Sequence, residues 1–426
     1  MQQQKTAPLF TNHQLLTLLW PLVIEQALEV LVGMADTMMV SSAGEAAISG
    51  VSLVDMINQL IITIFGALAT GGAVVTSQYL GAKKPGDAAR SAGQLVALSA
   101  ILGTAVAVFC LLTRTAQLRL FFGTIEDDVM EAALTYFTIT ALSFPFLALY
   151  NAGAAIFRST GNSAVSMKVS FLVNIINFCG NALCVYGLHM GVAGVAVPTL
   201  VSRTVGAVII LSLASRPDYL LRITPRSVTR LQGGTVRRIL AIGVPSACEN
   251  SLFQLGRVLV VSMISLFGTV HISANAVANN LDGVGCIIGN AMGLGMITVI
   301  GRCVGARTCT RPSSTPKSML RWDYIAQGTL NILMLLMLGP AAEPVHPLGG
   351  DLRPLGPSWC WIHAGRFHPD LAAGLRAAQR PARRQRRALY HDRVGAVHAG
   401  MAAGVQPGAL RPAGLGRGRR LVGHDP

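Results

Sequence analysis

Long apolar runs separated by short polar links dominate the chain from residue 14 to residue 339. We read nine of them as membrane spans, at 14–40, 47–79, 92–113, 131–157, 166–187, 190–214, 236–266, 272–303 and 320–339. Each reaches the roughly twenty helical residues needed to cross a hydrocarbon layer. Backbone polar groups cannot stay unpaired in lipid, so runs of this length predict helices. The pattern predicts an all-α polytopic membrane protein.

The polar links sort by charge. Lys83, Lys84 and Arg90 follow the second span, Arg158 and Lys168 flank the turn after the fourth, and Arg216, Arg222, Arg226, Arg230, Arg237 and Arg238 fill the link after the sixth. Arg302, Arg307, Arg311 and Lys317 follow the eighth. The alternate links SSAGEAA, GLHMG and FGTVH hold no Lys or Arg, and the link between the third and fourth spans offsets Arg114 and Arg119 with Glu126, Asp127, Asp128 and Glu131. Positive charge stays inside, so the N-terminus is expected on the cytoplasmic side of the membrane. The opening MQQQKTAPLFTNHQ lacks the basic start and small-residue cleavage site of a signal peptide, so the first span is expected to be retained.

One constant offset reveals an internal repeat. It places Pro21 on Pro245, Glu25 on Glu249, Leu28 on Leu252, Met39 on Met263, Gly44 on Gly268, Gly71 on Gly295 and Gly81-Ala82 on Gly305-Ala306, with no gap between. Two parallel repeats that both open on a P-x-x-x-E helix are the plan of transporters that rock one half against the other. The expected organisation is an N-lobe of six spans at 1–215, a cytoplasmic linker at 216–235, and a C-lobe with three recognisable spans at 236–339. Two six-helix repeats would form two lobes, the second incomplete after about residue 340.

Composition agrees with the membrane reading. Hydrophobic residues are 52% and charged residues 12%, about half the charged share of an ordinary soluble domain. The net charge of +15 is explained by the basic links and the tail, so no nucleic-acid partner is expected. The eight cysteines show no CxxC pair or metal-ligand spacing and read as small core residues.

The tail at 340–426 departs from the plan. Residues 341–426 hold thirteen Arg, no Lys and five acids, and contain no run long enough to span. After nine spans this Arg-rich segment would emerge on the wrong side for the charge rule. It is either a disordered basic tail or a GC-rich gene read out of frame. Arg383-Arg384-Gln385-Arg386-Arg387 can be encoded so that a one-base shift begins Gly-Gly-Asn-Asp. RTCTRPSSTPKS at 307–318 reads as a shorter slip of the same kind.

Acids inside the spans carry the candidate chemistry. Glu25, Glu29 and Asp36 fall within about 40° of arc on the first helix, so they share one face. Carboxylates at bilayer depth must face a cavity or a partner, and one shared seam suits the uptake and release of a cation. The alternative is local pairing that holds the bundle. Asn174, Asn177 and Asn181 form a second stripe within about 60°, offering oxygen ligands and amide donors without charge; they serve equally to glue helices. In the second repeat Glu249 follows Pro245 by one turn, with Arg257 as an alternative bundle partner. Asn275, Asn279 and Asp282 make another face. Arg158, Gly161 and Asn162 form a short turn that reads as a gate contact or as a plain capped turn.

The stretches MADTMMVSSAG, YLGAKKPGDAAR, FRSTGNSAVSM and NIINFCGNALCVYG resemble the multidrug and toxic compound extrusion (MATE) family. PSACENSLFQLGRVLVVSMISLFGTVHISANAVANN resembles the seventh and eighth helices of its NorM-like bacterial branch. The resemblance implies twelve helices in two lobes and export of cationic, amphipathic drug-like compounds in exchange for H⁺ or Na⁺. It singles out Asp36 as the N-lobe coupling carboxylate, with Na⁺ at Asp36 and Asn177 as the only metal expected. Some members carry Asp where Asn181 stands, and a C-lobe carboxylate on a tenth helix has no counterpart here.

A monomer in the lipid bilayer is expected, with no cofactor beyond the coupling ion. A flippase for lipid-linked saccharide, from the same superfamily, is the first alternative, but such a protein would line its cavity with more basic residues than acids. A non-functional product of a truncated or frameshifted gene is the second. An intramembrane enzyme finds no HExxH, no Ser/His pairing and no nucleotide loop, so the chain is not expected to be an enzyme.

Overall fold

The computed structural model describes residues 10–42, 44–122, 126–265, 282–306 and 314–342. The tail beyond residue 342, residues 307–313 of the expected slip at 307–318, and the predicted site residues Asn275 and Asn279 lie outside the described residues.

Helix α1 (Asn12–Ser41) starts at a capping box: the Thr11 hydroxyl accepts from Gln14 N, and Gln14 Oε1 accepts from Thr11 N. Helix α2 (Glu45–Gly81) follows Gly44, whose φ of +105° suits glycine at this tight entry. Then come α3 (Pro85–Phe122), α4 (Asp127–Ser159), α5 (Ser163–Ala182) with a π-helical turn at Leu183–Gly187, and α6 (Ala193–Ala214). Asp127 and Asp128 in the first turn of α4 and Arg158 in its last match the helix dipole at both ends. The second part holds the short α7 (Pro225–Thr229), α8 (Gly233–Ser265), α9 (Ile287–Gly305) and α10 (Ser314–Ala342).

Seven of these helices, α1 to α6 and α9, are long and apolar enough to cross a membrane. With 33 and 29 residues, α8 and α10 are long enough as well but more polar. Large apolar side chains stand open on the outside, Leu112 at 80% and Trp20 at 67% exposed, as a lipid-facing surface requires.

Helix α2 is the centre of the bundle and packs on α3, α4, α8 and α9. Two apolar clusters run beside it. One joins Val54, Phe65, Phe137 and Phe144, with the Phe65 and Phe144 rings edge to face at 6.3 Å. The other joins Leu95, Ile156, Phe157, Ile210 and Ile239, and so reaches from the first repeat to α8.

The predicted linker is folded onto this second cluster. Leu221 and Ile223 are buried, and the Tyr219 ring stands edge to face with Phe157 at 5.1 Å. Buried Gln94 on α3 holds the linker backbone. Its Nε2 donates to the carbonyls of Ser227 and Arg230, both at 2.8 Å, and its Oε1 accepts from Gln232 N at 2.8 Å.

The repeat is visible in the packing. A Cβ at Gly81 would overlap the carbonyl oxygen of Arg302, and one at Gly305 would overlap that of Gln78. The offset that carries Gly81 to Gly305 also carries Gln78 to Arg302, so one contact is made twice about a local two-fold. Likewise Gly71 on α2 lies against Gly243 on α8, and its mate Gly295 on α9 lies against Leu19 on α1.

Candidate ion-binding site

Eleven residues separate Glu25 from Asp36, about 16 Å along the helix axis, and they belong to two different places. Glu25 is buried and fully engaged. Arg158 Nη1 donates to its Oε1 at 3.1 Å, and Ser166 Oγ donates to its Oε2 at 2.5 Å. Glu25 and Arg158, read from sequence as a coupling acid and a gate residue, therefore form one ion pair between α1 and the end of α4, with Glu25 buried and Arg158 half-buried. Glu29 stands exposed, with Gln26 Nε2 donating to its Oε2 at 2.9 Å.

The turn after α4 is a junction. Gly161 takes φ +84°, which favours glycine, just past the end of α4, which is closed by Gly161 N donating to Arg158 O and Asn162 N to Phe157 O. Ser163 Oγ donates to Leu18 O at 2.5 Å on α1. From the second repeat, Thr298 Oγ1 donates to Arg158 O at 2.9 Å and Arg302 Nη2 to Ser159 O at 3.2 Å. Asn162 itself is exposed and gives α5 no side-chain cap bond.

Asp36 lies in a polar network built from α1, α5 and α6. Asn181 Nδ2 donates to Asp36 Oδ1 at 2.7 Å and to Asn177 Oδ1 at 3.3 Å. Asn177 Nδ2 donates to Thr199 Oγ1 at 3.0 Å, which in turn donates to Val195 O. Asn177 and Asn181 are buried, and the Oδ1 of Asn181 has no hydrogen-bond partner. An acceptor left open beside a carboxylate is a place for a proton or a cation. Asn174, one turn earlier, is half-buried and its Nδ2 is unpartnered.

Four polar residues beside this network were not singled out from sequence. Asp55 on α2 accepts at Oδ1 from Tyr136 Oη and from Asn58 Nδ2, both at 3.2 Å. Arg203 on α6 donates from Nη1 to Ser143 Oγ at 2.7 Å, within electrostatic reach of Asp36, Asp55 and Tyr136. The Oδ1 of Asn58 is buried without a partner. Asp55 and Arg203 do stand out in principle, as charges inside apolar runs. Their convergence from two helices leaves no spacing signal.

In the second repeat, Glu249 is half-buried on α8. Asp282 Oδ1 accepts from Cys286 Sγ at 3.6 Å, and Arg257 lies within electrostatic reach of Cys286. On α10, Asp323, Gln327 and Asn331 form a stripe with one residue per turn. Gln327 Oε1 accepts from Gly289 N at 3.0 Å, its Nε2 donates to Gly285 O, and Asp323 Oδ1 is buried without a partner. This stripe also went unread in the sequence.

The MatE family model matches residues 21–183 and again 245–345, more than half of the chain. The chain belongs to the MatE family. The two matches open on Pro21 and Pro245, the two ends of the repeat offset. They include Glu25, Asp36, Asp55, Tyr136, Asn177, Asn181, Glu249 and Asp323, and they leave Thr199 and Arg203 outside.

Among relatives, this MatE chain is 27% identical over 334 residues to the uncharacterized transporter YisQ of Bacillus subtilis, covering 77% of this chain and 72% of that one. It is 25% identical over 302 residues to a probable multidrug resistance protein NorM of Thermotoga maritima, covering 69% of this chain and 63% of that one. Among solved structures, a MATE protein in the straight conformation aligns with a TM-score of 0.79 at 19% identity, over 92% of this chain and 85% of that one. A MOP superfamily transporter from Pyrococcus furiosus aligns at 0.76 and 18% identity, over 92% and 86%. The chain shares its fold with these two proteins.

Proposed function

We propose that this MatE protein is a secondary active exporter, exchanging cationic amphipathic compounds for H⁺ or Na⁺ at Asp36. The observation that carries the reading is the Asp36 carboxylate held by Asn181, with the open Asn181 Oδ1 beside it. A carboxylate with neutral amide neighbours can take a monovalent cation without rebuilding its surroundings. Release of a bound cationic drug then follows from competition for the same negative charge. The relatives named for multidrug resistance support the substrate class, and an N-lobe site richer in acids than in bases favours it over an anionic saccharide lipid. Basic links after α2, α4, α6 and α9 support a cytoplasmic N-terminus in a bacterial inner membrane. We take the working unit as a monomer.

The test is efflux of a fluorescent organic cation from proteoliposomes, with pH and Na⁺ gradients imposed separately. Wild-type protein is expected to respond to at least one gradient, and Asp36→Asn to lose that response while still folding. Full gradient-driven efflux by Asp36→Asn would reject Asp36 as the coupling group.

A further inference from the structure

We propose that Asp55 and Arg203 set the charge of the N-lobe site. Arg203 offsets one of two carboxylates, so the site takes a single monovalent cation per cycle. This rests on the reading of Asp36 given above and deepens it.

The charged and titratable groups within electrostatic reach of one another here come from four helices: Asp36 from α1, Asp55 from α2, Tyr136 from α4, which donates to Asp55, and Arg203 from α6. Helix α5 contributes the neutral amides Asn177 and Asn181. The nearest further acid on α1 is Glu29, two turns away and held by Gln26. With both acids ionised and Tyr136 neutral, the cluster carries one net negative charge. One proton or one Na⁺ cancels it.

Neither acid is saturated by donors, and Arg203 is anchored away from them. Its Nη1 is occupied by Ser143 Oγ, which is itself fixed by donation to Thr140 O at 2.6 Å. The guanidinium therefore acts through space on both carboxylates rather than closing on one. Two buried, unpartnered acceptors flank the acids, Asn181 Oδ1 beside Asp36 and Asn58 Oδ1 beside Asp55. Buried acceptors of this kind are costly unless a donor or cation visits them. Each acid thus has its own amide, donating to it with one arm and leaving the other open.

This arrangement predicts a charge-balance pattern across variants. Asp55→Asn brings the cluster to zero with Asp36 ionised, so affinity for the coupling ion falls about tenfold or more. Arg203→Met brings it to two negative charges, so the site binds a second ion. Asp55→Asn/Arg203→Met restores one negative charge and is expected to recover single-ion binding. Arg203→Lys keeps the charge and the single-ion slope.

The experiment is equilibrium binding of tetraphenylphosphonium to the purified full chain, titrated against pH in Na⁺-free buffer and against Na⁺ at fixed alkaline pH. The number of ions displaced is read from the slope of log affinity against pH or log [Na⁺]. Wild type is expected near one, Arg203→Met near two with its midpoint about one pH unit or more alkaline, and the double variant near one. A merely structural pair would instead make the double variant the worst of the set and leave the slope of every folded variant at the wild-type value. That outcome overturns the proposal. Asp36→Asn in the same assay separates the two readings: an unchanged slope there rejects the Asp36 reading itself. A lost slope in Asp36→Asn with the slope of folded Arg203→Met still at the wild-type value rejects only the charge-setting role.

Discussion

At the scale of single residues, two acids on the same helix meet opposite fates because of their partners. Glu25 has a guanidinium and a hydroxyl on its two oxygens and is closed off, whereas Asp36 has one amide donor and an open acceptor nearby. Removing Arg158 strands the buried Glu25 charge, at a cost of up to about 3–5 kcal/mol, the range for breaking a fully buried pair. Arg158→Met is therefore expected to lower the melting temperature of the detergent-solubilised protein sharply, while Glu25→Leu/Arg158→Met recovers most of the loss. Equal losses in the single and the double variant would show that the pair gives no mutual compensation. Periodicity brought Asp36, Asn177 and Asn181 into view, because a 3.6-residue repeat orders the faces of one helix, and the family resemblance set Asp36 apart from Glu25 and Glu29. Asp55, Tyr136 and Arg203 stayed hidden for the complementary reason. Each sits alone in its own apolar run, and which faces of α2, α4 and α6 meet depends on helix rotation and packing, which a single helix does not encode. Asp323 escaped notice in the same way, on a helix read only as a span.

At the scale of elements, apolar run length gave the helices to within a few residues where loops are short, as at α4 and α6. It underestimated α3 and α10, whose helical turns continue past the apolar stretch into polar sequence. Dipole-matched charges carry such turns without hydrocarbon around them, as Asp87 in the first turn and Arg119 in the last do on α3. The linker after α6 looked like a basic connector, yet Gln94 anchors it through three backbone groups and Leu221 and Ile223 bury beside α3 and α4. Each hydrogen bond lost to a buried polar group costs about 1–3 kcal/mol when no substitute forms. Gln94→Leu leaves two carbonyls and one N–H of the linker without their partner. Trypsin cleavage at exposed Arg226 and Arg230 is then expected to quicken about tenfold, since a 1.4 kcal/mol easier local opening multiplies the open population by that factor. Cleavage at the wild-type rate would show that the apolar anchors hold the linker by themselves.

At the scale of the whole molecule, the repeat first read as matched letters is a repeat of contacts. Gly81 meets the backbone at Arg302 and Gly305 meets the backbone at Gln78, so the ends of α2 and α9 that lead into basic links are pressed together about a local two-fold. Thr298 and Arg302 add hydrogen bonds from α9 to the end of α4, closing the same region with polar contacts. Alternating access in the proposed exchange requires these ends to part and rejoin, and the absence of a side chain at both glycines is what permits the joined state. A valine at either position places carbon where a carbonyl oxygen now lies, a clash with backbone that no rotamer change relieves. Gly81→Val and Gly305→Val are therefore expected to disfavour the joined state to a similar degree, because they break two copies of one contact. Spin labels at Ala82 and Ala306, placed on each variant and on the otherwise unaltered protein, should show the short inter-label distance shrinking in population in both variants, with transport reduced in step. If the short distance keeps its population in either variant, the glycine contact does not hold the ends together. If only one variant responds, the two contacts are not equivalent and the local two-fold has no mechanical meaning.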